Sequence, residues 1–424
     1  MRLLGSSFFC EVPEGWSDVR EPGCAIATKE TPLGFIANAV LRESRVEQRP
    51  DSLAAISQAN LRAIREALPG TLVIRVEAVQ CDGVEHRRIW TLSPSTSEEF
   101  HGNILCILSI QELAVIDDVV AELTVTVPLS EWSPGDQYET IVASLAALPV
   151  AERTAPPLES SVPPPVLDDW ATELDGAPRE DLCVIKSPAL VLQDEPIALS
   201  DQTITIFLNS ARTRVFPPVT GEARQELSAA DLVDEDGNLT GVGFWYVDHV
   251  LSGEGWKIQA AADPKPAELS FWMTDSTTVF IAPHPEFKGQ RLLSWCPSND
   301  LFRLVLAWVE LSPSWPFDMH IELSQRQLQE KLEEDTAIIP EEGRAGEFLR
   351  QKWTYMSLTN DDDEPVLNWI HTKTRGDAVN WIDPSMRNFH RLVSIQQDHD
   401  TPFWLQLVAT LAGLDPATGT WRNK

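Results

Sequence analysis

Residues 119–127 have the sequence VVAELTVTV, which is rich in the β-branched residues that favour strands. Its apolar positions approximate the alternation between two faces that a half-buried strand requires. Runs of similar character precede it at residues 71–79, 86–92 and 103–110. Because turn residues separate these runs, they predict four consecutive strands of an antiparallel sheet.

The chain before these runs predicts a helix and three further strands. Residues 53–68 place apolar side chains at three- and four-residue steps, and Pro69-Gly70 ends the pattern. The strands are expected at residues 6–12, 24–28 and 34–41, and a second helix at residues 137–148. Three strands, a helix, four strands and a helix predict an α+β domain over residues 1–150, an antiparallel sheet with packed helices.

A different composition follows at residues 151–181. Pro156-Pro157 and Pro163-Pro164-Pro165 alternate there with acidic residues, which predicts a stiff, charged linker. Trp170 is the exception, and we expect it to dock on a neighbouring domain.

Residues 182–424 contain eleven of the fifteen tryptophans, which indicates a packed, Trp-rich α+β domain. A subdivision near residues 335–344 stays open. Strands are predicted at residues 203–208, 243–246, 269–273 and 278–282, and helices at 299–311, 323–334 and 401–414.

The charge and the cysteines restrict the class of protein. A net charge of −31 argues against nucleic acid and anionic membrane surfaces, which are bound through Lys and Arg clusters. No stretch approaches the roughly 18 apolar residues of a membrane helix. The six cysteines show no Cys-x-x-Cys spacing, which favours reduced thiols. We therefore expect a cytoplasmic protein that does not insert into a membrane.

The first 150 residues also resemble a known family. The signals are residues 8–12, Pro13-Glu14-Gly15-Trp16, Asn38-Ala39-Val40, Leu68-Pro69-Gly70, and the closing strand and helix around Trp132 and Ser144-Leu145. This order resembles the actinobacterial LpqN/LpqT lipoproteins, which implies the PsbP-like fold shared with adaptor domains of type VI secretion effectors. The family has no catalytic residues to carry over. Cys24 has no apolar segment before it, so the cytosolic adaptors are the better analogy.

Catalytic and metal-binding motifs are weak throughout the sequence. Phosphate-binding glycine loops, the Gly-x-Ser-x-Gly elbow and His-Glu-x-x-His do not occur. We interpret Asp234-Glu235-Asp236-Gly237-Asn238 as an exposed turn and Asn360-Asp361-Asp362-Asp363-Glu364 as a solvated acidic loop. Asp398-His399-Asp400 is interpreted as a helix cap, and His284-Pro285-Glu286 and His320-Ile321-Glu322 as structural rather than metal-binding segments.

These observations predict a non-enzymatic protein-binding module without a cofactor, an adaptor or chaperone linked to secretion. Its partner would be a basic or amphipathic protein. Trp315 and Phe317 are the expected partner anchors, since the prolines on either side of Trp315 keep that backbone extended. Two alternatives stay open: an immunity protein that covers a basic toxin, and an enzyme whose site is formed where His249, His284 and His320 meet.

Overall fold

The computed structural model describes residues 1–32, 34–47, 52–68, 70–96, 104–133, 135–158, 162–182, 185, 192, 194–213, 221–261, 267–309, 313, 315, 320–333, 350–372, 376–381, 392–396, 407, 410 and 411. The suggested subdivision at 335–344 and the segment Asp398-His399-Asp400 lie outside these residues. Residues 407, 410 and 411 are helical, and the rest of the helix predicted at 401–414 also lies outside.

The first 147 residues form two antiparallel sheets with two helices. The elements are β1 (Arg2–Leu4), β2 (Phe8–Glu11), β3 (Ser17–Glu21), β4 (Cys24–Glu30), β5 (Ile36–Arg45), α1 (Leu53–Ala67), β6 (Leu72–Cys81), β7 (Val84–Thr96), β8 (Ile104–Ile116), β9 (Val119–Pro128), α2 (Gln137–Ala143) and β10 (Ala146–Ala147). A seven-stranded sheet has the order β3-β4-β5-β9-β8-β7-β6, and a small sheet has the order β1-β2-β10. The predicted α+β fold is confirmed.

The two helices pack on opposite faces of the seven-stranded sheet, here called the first sheet. Leu61 of α1 belongs to the same buried cluster as Ile89, whereas Ile141 of α2 belongs to the cluster that contains Trp90. Since neighbouring strand residues point to opposite faces, Ile89 and Trp90 place α1 and α2 on different sides. All the strands predicted for residues 1–150 are confirmed, whereas the helix predicted at 137–148 ends at Ala143 and residues 146–147 form β10. β3 was missed because its sequence, SDVRE, has no apolar alternation.

The described residues of the segment 151–181 contact β5 and α1. The backbone N–H of Arg45 donates to the carbonyl oxygen of Pro157, and the amide of Gln58 pairs with the backbone N–H and carbonyl of Val166. A short helix, α3 (Asp169–Asp175), follows, capped by the side chain of Asp168. The side chain of Trp170 lies outside the described part. The domain limits 1–150, 151–181 and 182–424 remain predictions.

The second half of the chain is built on a larger antiparallel sheet. Its strands are β11 (Ile197–Ser200), β12 (Glu254–Ala261), β13 (Ala267–Met273), β14 (Thr277–Pro283), β15 (Gln290–Pro297), β16 (His320–Ser324), β17 (Thr354–Asn360), β18 (Pro365–Thr372), β19 (Gly376–Trp381) and β20 (Leu392–Gln396). The order is β11-β15-β14-β13-β12-β17-β18-β19-β20-β16. The predicted strands at 269–273 and 278–282 are confirmed in β13 and β14.

Helices accompany this second sheet. They are α4 (Asp201–Thr213), α5 (Glu222–Ala229), α6 (Gly241–Ser252), α7 (Leu301–Val309) and α8 (Gln325–Glu333). The predicted helices at 299–311 and 323–334 are confirmed as α7 and α8. The strands predicted at 203–208 and 243–246 are wrong, because both stretches lie inside helices, α4 and α6.

Helix caps explain this difference. The hydroxyl of Ser200 accepts the backbone N–H of Thr203, and the hydroxyl of Thr240 accepts that of Gly243. Each cap satisfies a donor that a new helix leaves unpaired. The apolar residues that resembled strands then form the buried faces of α4 and α6 against the second sheet.

Candidate functional site

The register of β6, β7 and β8 gathers a cysteine, a histidine and a glutamate, three residue types that can bind metals, on one face of the first sheet. Cys81 ends β6 opposite Val84, and His86 lies opposite Val79, so Cys81 and His86 are diagonal neighbours on one face. Glu112 of β8 is paired with Arg88 of β7, two residues beyond His86. The four side chains therefore share one face at the end of the β6–β7 hairpin.

The side-chain atoms are within contact distance of one another. Oε1 of Glu112 lies 3.0 Å from Nδ1 of His86 and 4.0 Å from Sγ of Cys81. Arg88 donates from Nε to the other carboxylate oxygen, Oε2, at 2.7 Å. The three candidate ligand atoms lie within 4.8 Å of one another. In the part of the chain that the structure describes, this is the one such group of His, Cys, Asp or Glu side chains.

The cluster is mostly buried. Glu112 is fully buried and His86 nearly so, whereas Cys81 is partly exposed at the surface end. Burial, and then the negative charge of Glu112, raises the pKa of the Cys81 thiol. The thiol is therefore protonated at neutral pH, which does not suit a cysteine nucleophile, because the thiolate is the reactive form.

The opposite face of β7 carries a second buried polar cluster. Arg87 is fully buried and pairs with Glu85 and, from Nε at 3.2 Å, with the carboxylate of Glu180. Arg179 donates to Glu85 at 3.0 Å. These pairs join β7 to the segment that follows α3. Each of these carboxylates accepts from an arginine, which favours a structural role for the cluster.

Trp315 lies in this second cluster. Its ring is 5.1 Å from the guanidinium of Arg87 and 5.3 Å from that of Arg179, and its indole N–H donates to the carbonyl oxygen of Glu180. Only 6% of Trp315 is exposed. Its contacts are therefore internal, and its expected role as a partner anchor stays a prediction. Phe317 lies outside the described residues.

A surface on α6 carries exposed apolar side chains. Phe244 is 62% exposed and Leu251 is 37% exposed, and the two are seven residues apart on the same side of the helix. Asp248 is exposed between them. We call Phe244, Asp248 and Leu251 the α6 surface. The opposite side of α6, with Tyr246 and Val250, is buried against the second sheet.

Acidic residues lie at the N-terminal end of the α6 surface. The turn before α6 exposes four carboxylates: Asp231, Asp234, Glu235 and Asp236. Hydrogen bonds from Asn238 hold the pKa of Asp234 below its ordinary value, so Asp234 is charged at neutral pH. A Cβ at Gly243 would lie 2.0 Å from the carbonyl oxygen of Leu232, so the glycine allows α6 to lie close to this turn.

The two acidic segments noted in the sequence, 234–238 and 360–364, both form turns. The turn at 234–238 is closed by a bridge between Val233 and Leu239, as expected. The acidic loop at 360–364 is the exposed turn between β17 and β18, also as expected.

Three histidines were considered above as parts of a possible enzyme site. The side chains of His249 and His284 each contact the backbone of their own segment, and that of His320 lies outside the described part. Nδ1 of His249 lies 2.8 Å from the carbonyl oxygen of Trp245 in the same helix. Nδ1 of His284 accepts the backbone N–H groups of Glu286 and Phe287. His320 begins β16.

Sequence motifs do not identify Cys81, His86 and Glu112, because the three residues come from three strands and have no characteristic spacing. The available signal was weak: a histidine and a cysteine on either side of Asp82-Gly83, and a glutamate inside the apolar run of β8.

No described helix is long and apolar enough to cross a membrane. The cytoplasmic location stays a prediction.

Comparison with known proteins gives distant similarities. No family model matches the chain. No curated protein matches it. Among solved structures, PsbP of Synechocystis sp. PCC 6803 is 13% identical, covers 33% of this chain and 86% of its own, and has a TM-score of 0.26.

Two further solved structures match a similar share of this chain. LpqN of Mycobacterium tuberculosis, involved in cell envelope biogenesis, is 12% identical over 34% of this chain and 83% of its own, with a TM-score of 0.25. The Ran-binding protein Mog1p of Saccharomyces cerevisiae is 11% identical over 35% of this chain and 93% of its own, with a TM-score of 0.25. Scores this low carry no argument about function and do not establish membership of the LpqN/LpqT family.

Proposed function

We propose that this chain is a non-enzymatic protein-binding module, and that its α6 surface binds a cationic, amphipathic segment of a protein partner. The observation that carries the proposal is the exposure of Phe244 and Leu251 beside acidic residues. Exposed apolar side chains with a polar rim are typical of protein-binding surfaces.

The apolar part would supply the affinity. Complete burial of a Phe or Leu side chain is worth about 1.5–3 kcal/mol relative to exposure in water. A partner helix with apolar residues at three- and four-residue steps would cover Phe244 and Leu251 together, since these are two turns apart on one side of α6.

The acidic residues would make the surface select basic partner segments over acidic ones. Asp248 lies within the α6 surface, and Asp231, Asp234, Glu235 and Asp236 lie at its N-terminal end. Lys and Arg of a partner would be attracted to these carboxylates, whereas an acidic segment would be repelled. The net charge of −31 would steer a basic partner from a distance, an effect that salt weakens.

The adaptor or chaperone role in secretion is the finer form of this proposal. It rests only on the analogy of residues 1–150 with the secretion adaptor domains that share the PsbP-like fold. It requires that the cargo present a basic amphipathic segment.

A direct test uses a fluorescent, helical Leu/Lys peptide titrated with the full chain and followed by anisotropy. We expect the double variant Phe244→Ser/Leu251→Ser to bind at least about tenfold more weakly, because both apolar contacts are lost. Ile36→Ser is the matched control, since Ile36 is 60% exposed but lies on the first sheet. Equal binding of the double variant, or equal binding of a Leu/Glu peptide, would overturn the proposal.

A further inference from the structure

We propose that Cys81, His86 and Glu112 bind a divalent transition-metal ion, with zinc as the best match. The proposal is independent of the α6 surface, because it concerns the first sheet alone. Three observations carry it: the donor atoms, their separations, and the way Arg88 holds Glu112.

The donor atoms are a thiol sulfur, an imidazole nitrogen and a carboxylate oxygen. Zinc takes all three, whereas calcium and magnesium prefer oxygen ligands only. The set Cys81, His86 and Glu112 therefore selects a transition metal over the hard cations. Zinc is usually four-coordinate, so three protein ligands leave one position for a water molecule.

Two of the three separations are near those that zinc requires, and the third, between the thiol of Cys81 and the imidazole of His86, is within 4.8 Å. Bonds of about 2.0–2.3 Å in a tetrahedron place the ligand atoms roughly 3.3–3.6 Å apart. Oε1 of Glu112 lies 3.0 Å from Nδ1 of His86 and 4.0 Å from Sγ of Cys81. Shifts of a few tenths of an ångström would bring both distances into that range. Rotation about the side-chain bonds of Cys81 and His86 supplies such shifts without moving the strands.

Arg88 fixes the carboxylate. It donates to Oε2 of Glu112 at 2.7 Å, which leaves Oε1 directed at His86 and Cys81. Hydrogen bonds of this kind orient the ligands in many metal sites. Binding would transfer the thiol proton of Cys81 to solvent, and the resulting thiolate would add a negative charge to that of Glu112, which Arg88 partly offsets.

A metal ion could reach the site from solvent at Cys81. It is partly exposed, whereas His86 and Glu112 are buried behind it. An ion in this position would join β6, β7 and β8 at the end where the β6–β7 hairpin turns.

The first test uses the unaltered protein. The rate of alkylation of each cysteine by iodoacetamide is measured by peptide mass spectrometry, with and without zinc. We expect zinc at about ten times its Kd to slow the reaction of Cys81 about tenfold, since the free fraction falls by that factor. Cys24 of β4 is the internal control, because it is also a partly exposed free thiol.

The expected pattern is slowing at Cys81 alone, reversed by a chelator and not produced by magnesium. An unchanged rate at Cys81, or equal slowing at Cys24, would overturn the proposal.

Cobalt provides a second measurement with a spectroscopic readout. We expect one Co²⁺ per chain to give a thiolate-to-cobalt charge-transfer band that is lost in Cys81→Ser and kept in Cys24→Ser. Absence of the band in the wild-type chain, or its persistence in Cys81→Ser, would contradict the site.

Discussion

The indole N–H of Trp315 donates a 2.7 Å hydrogen bond to the backbone carbonyl oxygen of Glu180. The carboxylate of Glu180 in turn accepts from Arg87 of β7, the strand next to the edge of the first sheet. A tryptophan of the C-terminal region is thus fixed, through Glu180, to strand β7 of the first sheet. Trp315 is therefore expected to contribute to the stability of the whole chain.

Replacing Trp315 by Phe should destabilise the protein by more than the lost volume explains. The carbonyl of Glu180 would lose its donor in a buried place, which costs about 1–3 kcal/mol. Trp256→Phe is the matched control, because the indole N–H of the equally buried Trp256 has no hydrogen-bond partner in the described part of the chain. Urea denaturation of both variants gives the comparison, and equal losses would contradict the role assigned to Trp315.

The ion pairs of Glu85 should make part of the stability depend on pH. Burial alone would raise the pKa of Glu85, but Arg87 and Arg179 outweigh it and hold the pKa below the ordinary value of 4.5. A lowered carboxyl pKa contributes stability above pH 4.5 that is lost as the pH falls through the folded-state pKa. The unfolding temperature of Glu85→Gln should therefore lie below that of wild type at neutral pH and approach it in acid. A difference that does not change with pH would refute this explanation.

Three buried thiols should be unreactive in the folded chain. Burial raises the pKa of Cys10 and of Cys296 to about 12, and it also raises that of Cys106. Because the thiolate is the reactive form, we expect iodoacetamide at pH 8 to modify these three only after denaturation. Cys24 and Cys81, which are partly exposed, should react in the native state. Rapid native-state labelling of Cys10 would count against the burial described for it.

The cap of α6 should contribute measurably to its stability. The hydroxyl of Thr240 accepts the backbone N–H of Gly243 at 3.1 Å. Thr240→Ala should cost at least about 1 kcal/mol, the usual effect of removing such a cap, because the same hydroxyl also donates to the carbonyl oxygen of Asp231. Ser252→Ala, at the exposed far end of α6, should cost much less. Urea denaturation distinguishes the two, and equal costs would show that the Thr240 cap is not what stabilises the helix.

The first half of the fold was predictable because its strands alternate and its long helix is bounded by turn residues. The local spacing of apolar residues is enough to predict the strands at 71–79 and 119–127 and the helix at 53–68. The stretches at 203–208 and 243–246 were wrongly predicted as strands, because a short apolar run fits either element until its caps and packing are known. Ser200 and Thr240 are such caps, and each is one polar residue in a sequence that has many.

The candidate sites were less predictable, since both depend on arrangement in space. Cys81, His86 and Glu112 meet only through the register of three strands. The exposure of Phe244 and Leu251 depends on which side of α6 meets the second sheet, which the nearly uniform apolar sequence of that helix does not specify.

Amide hydrogen exchange of the full chain, measured with and without the Leu/Lys peptide, tests the proposed function most directly. If the α6 surface binds cationic amphipathic segments, the peptide should slow exchange at residues 241–252 and at the acidic turn before them. Slower exchange elsewhere with none at α6, or no change with saturating peptide, would contradict the proposed function.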